Sequence, residues 1–116
     1  MRKIEFRGYS KRFERWLHGF LVTDNVIREF GILDGGHEVL YIGQYTGLKD
    51  KNGKKIFEDD IVKDNYDDKI YSIVFDEDCS QMILSGEFED YSFYNISPSR
   101  IEVIGNIYDN PELLEG

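Results

Sequence analysis

The chain has one cysteine, two histidines and no apolar run near the 18 residues that a membrane span needs. Each scarcity excludes something. A lone Cys79 makes no internal disulfide and has no second cysteine at metal-ligand spacing, which fits a reducing compartment. Its neighbours Asp76, Glu77 and Asp78 disfavour a thiolate, so an inert, packed or half-exposed thiol is expected there. His18 and His37 stand far apart, outside any HxxxH or HxE spacing, and read as surface or packed side chains. GxxxxGK[ST], GxGxxG after a strand and GxSxG are all missing, so phosphate-loop, dinucleotide and nucleophile-elbow chemistry lack their defining atoms. No cofactor is implied. The opening MRKIEFRGYS alternates charge with hydrophobe and shows no uninterrupted apolar core of a signal peptide, so cytoplasmic residence without membrane association is the expectation.

Large side chains and negative charge are plentiful. With 116 residues, 41% apolar and 15% aromatic, the chain has the size and content of a single folded domain, residues 1–116, with one core. Its net charge of -9 is unevenly spread. Residues 1–15 carry six basic side chains (Arg2, Lys3, Arg7, Lys11, Arg12 and Arg15) against Glu5 and Glu14. Residues 58–90 carry twelve acids against Lys63 and Lys69. An acidic body repels a phosphate backbone at long range, yet a basic patch still docks one within a Debye length of roughly 8 to 10 Å. The acids themselves read first as a solubilising face and second as an imitation of DNA charge offered to a basic protein.

Period-2 alternation dominates. Ile4 and Phe6 face one way, with Lys3, Glu5 and Arg7 on the wet side. RWLHGFLVT, residues 15–23, is apolar on both parities, which implies a strand buried on both faces or packed under a neighbouring element. VIREFGIL reads equally as a short strand or a helical turn, and EVLYIGQY as a strand. In Lys51-Asn52-Gly53-Lys54 the Asn-Gly pair suits a type I′ turn, whose tip would present Lys49, Lys51, Lys54 and Lys55. KIYSIVFDE and QMIL form a hairpin around the bend Asp76-Glu77-Asp78. EFEDYSFYNIS fits neither period. RIEVIGNIY closes the series as a strand, and Asn110-Pro111 starts a short helical turn with Asn110 as its cap. The pattern is that of a mainly β, β-rich α+β barrel or sandwich with little helix.

Three patterns bear on chemistry. Counted from Asp76, a calcium-loop template would use Asp76, Asp78, Ser80 and Glu87, but its glycine position is Gln81 and its flanks read as strands. Glu58, Asp59 and Asp60 would form a divalent-metal or acid–base site if their carboxylates converged. Tyr9, Trp16, Tyr45 and Tyr66 near the basic segments would stack bases if exposed, although core filling is the commoner use of such rings.

IEFR near the start, QYTGLKDKNGKKIFEDDIV in the middle and VIGNIYDNPELL at the end resemble, in that order, the YopX family of small proteins encoded by phages and prophages. The family's middle block commonly reads YTGLKDKNGKEIYEGDIV, so Asp59 stands where a glycine is usual. If that glycine serves a positive-φ turn, Asp is among the few residues able to follow it. The resemblance implies a small barrel, SH3-like, around the middle block, with an N-terminal β extension and a short C-terminal helical turn. It implies no activity and transfers no catalytic residue. The expected role is a non-enzymatic protein–protein interaction module whose partner is a host or phage protein, with self-association as a variant. The alternative is a nucleic-acid module using Arg2, Lys3, Arg7, Lys11, Arg12 and Arg15 or the lysine turn. A metal-dependent enzyme through Glu58, Asp59 and Asp60 ranks third.

Overall fold

The computed structural model describes residues 4–31, 35–87, 89–93 and 97–114. The chain divides into two compact units, residues 1–45 and 46–116. Buried apolar side chains of the described residues gather in two clusters, one within each unit, where a single core was expected.

In the first unit β1 (Phe6–Ser10), β2 (Arg15–Thr23), β3 (Val26–Glu29), β4 (His37–Glu38) and the start of β5 (Leu40–Lys49) pair in the order β4-β3-β2-β1-β5. The registers are antiparallel, from Phe6 opposite Gly19 to Ser10 opposite Arg15 in the first hairpin. VIREFGIL thus resolves into a strand at its start. Leu17, Ile27 and Val39 fill the core, with Phe6, Leu21 and Ile42 packed against them. Two sequence expectations fail here. β2 is not covered on both faces: only Leu17 and Gly19 are buried along it. Gly19 is required because a Cβ there would stand 2.0 Å from the Arg28 carbonyl oxygen. Along β1 the alternation is broken: Phe6 packs against the core but Arg7 is buried as well, and Ile4, ahead of the strand, is exposed. Its pairing to β5 slips between Arg7 and Tyr9, and such a bulge re-aims side chains.

The second unit continues β5 into β6 (Lys55–Phe57) and then forms a meander of β7 (Asp60–Asp64), β8 (Ile70–Asp76), β9 (Gln81–Ser85) and β10 (Asp90–Ser92), with β11 (Ile101–Asn106) returning beside β7. Ile56, Val62, Tyr71, Ile73, Met82, Leu84, Phe93 and Ile101 make its core. Alternation holds on β9 and on β8 as far as Ile73, where Tyr71, Ile73, Met82 and Leu84 point inward; Phe75, on the same parity, is exposed. The calcium-loop stretch is therefore a β hairpin, with Asp76 opposite Gln81. The described helical elements are 3-10 turns, among them Pro98–Arg100 and Pro111–Leu114. Asn110 stands just before the latter: its backbone carbonyl accepts the Leu113 N–H at 3.1 Å and its Oδ1 the Asn106 N–H at 3.3 Å. The fold is mainly β, as expected. No helix among the described residues is long and apolar enough to cross a membrane.

Candidate functional site

The middle block is built around Asp50, which is 6% exposed. Its Oδ1 accepts the Asn52 and Lys54 N–H groups, each at 2.9 Å, and its Oδ2 accepts the Val103 N–H of β11, also at 2.9 Å. Burial by itself would raise the Asp50 pKa. The three N–H donors and the nearby Lys54 charge outweigh it and hold the carboxyl below its ordinary value. The turn is not type I′. Gly53 has φ of 81° while Asn52 is not in the left-handed region, and Gly53 N–H bonds the Asp50 carbonyl at 3.0 Å. Together with Asp50 N–H on the Lys54 carbonyl, this is a type I turn closed by a glycine bulge. The Asp50 side chain fixes it in that form, as an Asx-turn does.

Of the three acids that follow, Glu58 is half-buried, and Asp59 and Asp60 are held by separate partners. Asp59 has φ of 72°, so the family's usual glycine marks a positive-φ turn that Asp follows here. Its Oδ2 accepts from the Tyr108 hydroxyl at 2.7 Å, and its backbone joins Ile73 and Ile107. Asp60 is 1% exposed and accepts the Phe57 N–H at 2.7 Å. Asp64, also buried, takes a bidentate bond from Arg100 at 2.6 and 3.2 Å and the Tyr66 N–H at 2.9 Å. Among the described residues, no group of three or more His, Cys, Asp or Glu is placed to hold a metal ion. The middle and final blocks thus meet each other: Asp50 on Val103, Asp59 on Tyr108, and β7 on β11 with Asp60 opposite Asn106.

The basic candidates divide sharply. Arg2 and Lys3 lie outside the described residues. Arg7 is 8% exposed with its guanidinium 4.9 Å from the Trp16 ring centre, so it belongs to the interior of the first unit and not to a basic patch. Lys11, Arg12 and Arg15 remain exposed in and beside the β1–β2 turn. Arg15 is engaged by Glu29 through two bonds, at 2.8 and 3.0 Å. Phe13, 40% exposed, stands between the Arg12 and Arg15 guanidinium groups at 5.3 and 5.6 Å and meets the His37 ring edge-on at 4.8 Å. Lys11, Arg12, Tyr9 and His37 also line an open cleft of about 520 Å³. Sequence reading missed Phe13; a hydrophobe at the tip of a basic turn was the available signal.

At the second candidate, Lys49, Lys51 and Lys54 are exposed and Lys55 is half-buried. Lys51 lies 3.6 Å from Glu102. Tyr9, Trp16 and Tyr45 are half-buried, whereas Tyr66 is 84% exposed beneath the Arg100 guanidinium at 4.8 Å. His18 is exposed, 3.9 Å from Glu5, and Cys79 is exposed in the β8–β9 turn.

Residues 5–115 match the family model described as YopX protein. No curated protein matches the chain.

Proposed function

The chain belongs to the YopX family, and from that premise we propose that it is a non-enzymatic protein–protein interaction module of a phage- or prophage-carrying cell, working in the cytoplasm. The observation that carries this reading is Phe13, a large apolar ring still 40% exposed beside two guanidinium groups. Aromatic and arginine side chains dominate the energetics of protein interfaces. The conspicuous polar residues of the middle block are meanwhile engaged in backbone hydrogen bonds, which leaves the flanking surfaces to bind. Affinity capture from host lysate tests it. A protein retained after nuclease treatment and lost on Phe13→Ala supports the reading; a yield abolished by nuclease overturns it. Self-association through the same patch would appear as Phe13-dependent sedimentation of the purified chain.

A second reading has its own support. Lys11 and Arg12 rim the first unit's cleft beside Tyr9 and His37, the combination of cation and ring that single-stranded nucleic acid uses. A salt-dependent shift of labelled single strand that disappears in Lys11→Glu/Arg12→Glu would decide for it.

A further inference from the structure

The second unit has a cleft of its own, about 560 Å³, where β8 begins and β9 ends. Lys69, Tyr71, Glu87, Glu89, Leu113 and Leu114 line it. Tyr71 is 1% exposed, and its hydroxyl is the buried side-chain polar atom that has no hydrogen-bond partner among the described residues. Buried polar groups in native proteins are ordinarily paired, so an orphan in a cleft wall points to a ligand that pairs it. Burial first, and then the charges of Asp67, Glu89 and Asp64 against that of Lys69, raise its pKa. The phenol is therefore neutral, with free lone pairs.

Charge and shape at this end agree. Asp67, Asp68, Glu87 and Glu89 are exposed in the two loops that Lys69 and Glu89 tie together at 3.3 Å, and Asp90 is exposed at the start of β10. Tyr91 donates to Glu89, which pushes the Tyr91 pKa up to about 12, and with Lys69 it holds Glu89 below the usual carboxylate value. Leu113 and Leu114, from the 3-10 turn, supply an apolar wall beside these carboxylates. Long cationic side chains need that combination, because they lay methylenes on apolar surface and keep the charged head polar.

We propose that this cleft receives a lysine or arginine side chain of a partner protein, its stem along Leu113 and Leu114, its head on Glu87 and Glu89, and one N–H donated to the Tyr71 hydroxyl. The proposal rests on the reading of the chain as a protein-binding module and gives that module a contact of stated chemistry. The net charge of -9 steers a basic partner toward it. Lys69 already occupies Glu89, so it competes with the incoming cation.

Fluorescence anisotropy of a labelled hexa-arginine peptide, titrated with the full chain at about 0.15 M salt, tests the site. Saturable binding is expected. Glu89→Gln and Tyr71→Phe should each weaken it about tenfold, and Lys69→Ala should tighten it. Glu77→Gln, at the opposite end of the β8–β9 hairpin, should leave it within about twofold. Circular dichroism of Tyr71→Phe, which keeps the ring, verifies its fold; exposed Glu89 carries the test independently. Equal losses in Glu77→Gln and Glu89→Gln, or the absence of saturable binding, would overturn the proposal. A captured host protein indifferent to Glu89→Gln would overturn the cleft and leave the module reading standing. Glu89-dependent peptide binding with no nuclease-resistant protein captured would do the reverse.

Discussion

Replacing Asp50 by alanine removes one carboxylate that three backbone donors share. Asn52 and Lys54 are exposed, so water can satisfy their N–H groups after the change at small cost. The Val103 N–H is different, because it belongs to the half-buried face of β11 and faces a side chain that is 6% exposed. Leaving such a donor unpaired costs roughly 1–3 kcal/mol, and the lost charge-assisted bonds of the turn add part of a further 1–3 kcal/mol. The expected destabilisation is therefore about 2–4 kcal/mol, read as a lowered urea midpoint with the slope unchanged. The acid limb of the stability curve supplies a second reading. Because the folded-state pKa of Asp50 is depressed, the unfolded state binds more protons between the folded and unfolded values, so stability rises with pH in that window. The contribution is fully present above the unfolded carboxylate pKa and is lost as pH falls through the folded value. Asp50→Asn should flatten that limb. A loss under about 0.5 kcal/mol in Asp50→Ala, with the acid limb unaltered, would refute the assignment of Asp50 as the fastening of the turn to β11.

Three other substitutions have defined outcomes. Asp59→Gly should be more stable than Asp59→Ala by about 1 kcal/mol in thermal melts, since both lose the Tyr108 bond but only alanine is strained at a φ of 72°. Gly19→Ala should cost more than about 3 kcal/mol or prevent folding, because the new Cβ meets the Arg28 carbonyl at 2.0 Å; wild-type melting would contradict the close approach of β2 and β3. Asp64→Asn should cost about 1–3 kcal/mol in urea, because the Tyr66 N–H and the bidentate Arg100 bond share that buried carboxylate.

Much of the β layout is legible in residue order. RWLHGFLVT matches β2 residue for residue, and KIYSIVFDE and QMIL enclose β8 and the body of β9, because β-branched and aromatic runs between turn clusters leave few other options. The turn type was less accessible. Asn-Gly favours type I′, but an Asp at the first turn position and Gly at the fourth is the type I signature, and Asp50 with Gly53 supplies it. Period 2 puts Arg7 on the wet face because it assumes an unbroken ladder, and the bulge beside Tyr9 breaks it. Asp60 and Asp64 read as solvated acids, since the donors that satisfy them, the Phe57 and Tyr66 N–H groups and the distant Arg100, are brought to them only by the folded backbone. The orphan Tyr71 hydroxyl is a property of packing and leaves no mark on composition or period, whereas Phe13 is marked by its place in a basic turn.

The most direct measurement compares capture of host protein by Asp50→Ala and by Phe13→Ala at a temperature where circular dichroism shows both variants folded. If the middle block serves the backbone and the exposed surfaces bind, Asp50→Ala retains the wild-type partner and Phe13→Ala loses it. A folded Asp50→Ala that captures nothing, beside a Phe13→Ala that captures as wild type, would contradict this division of labour.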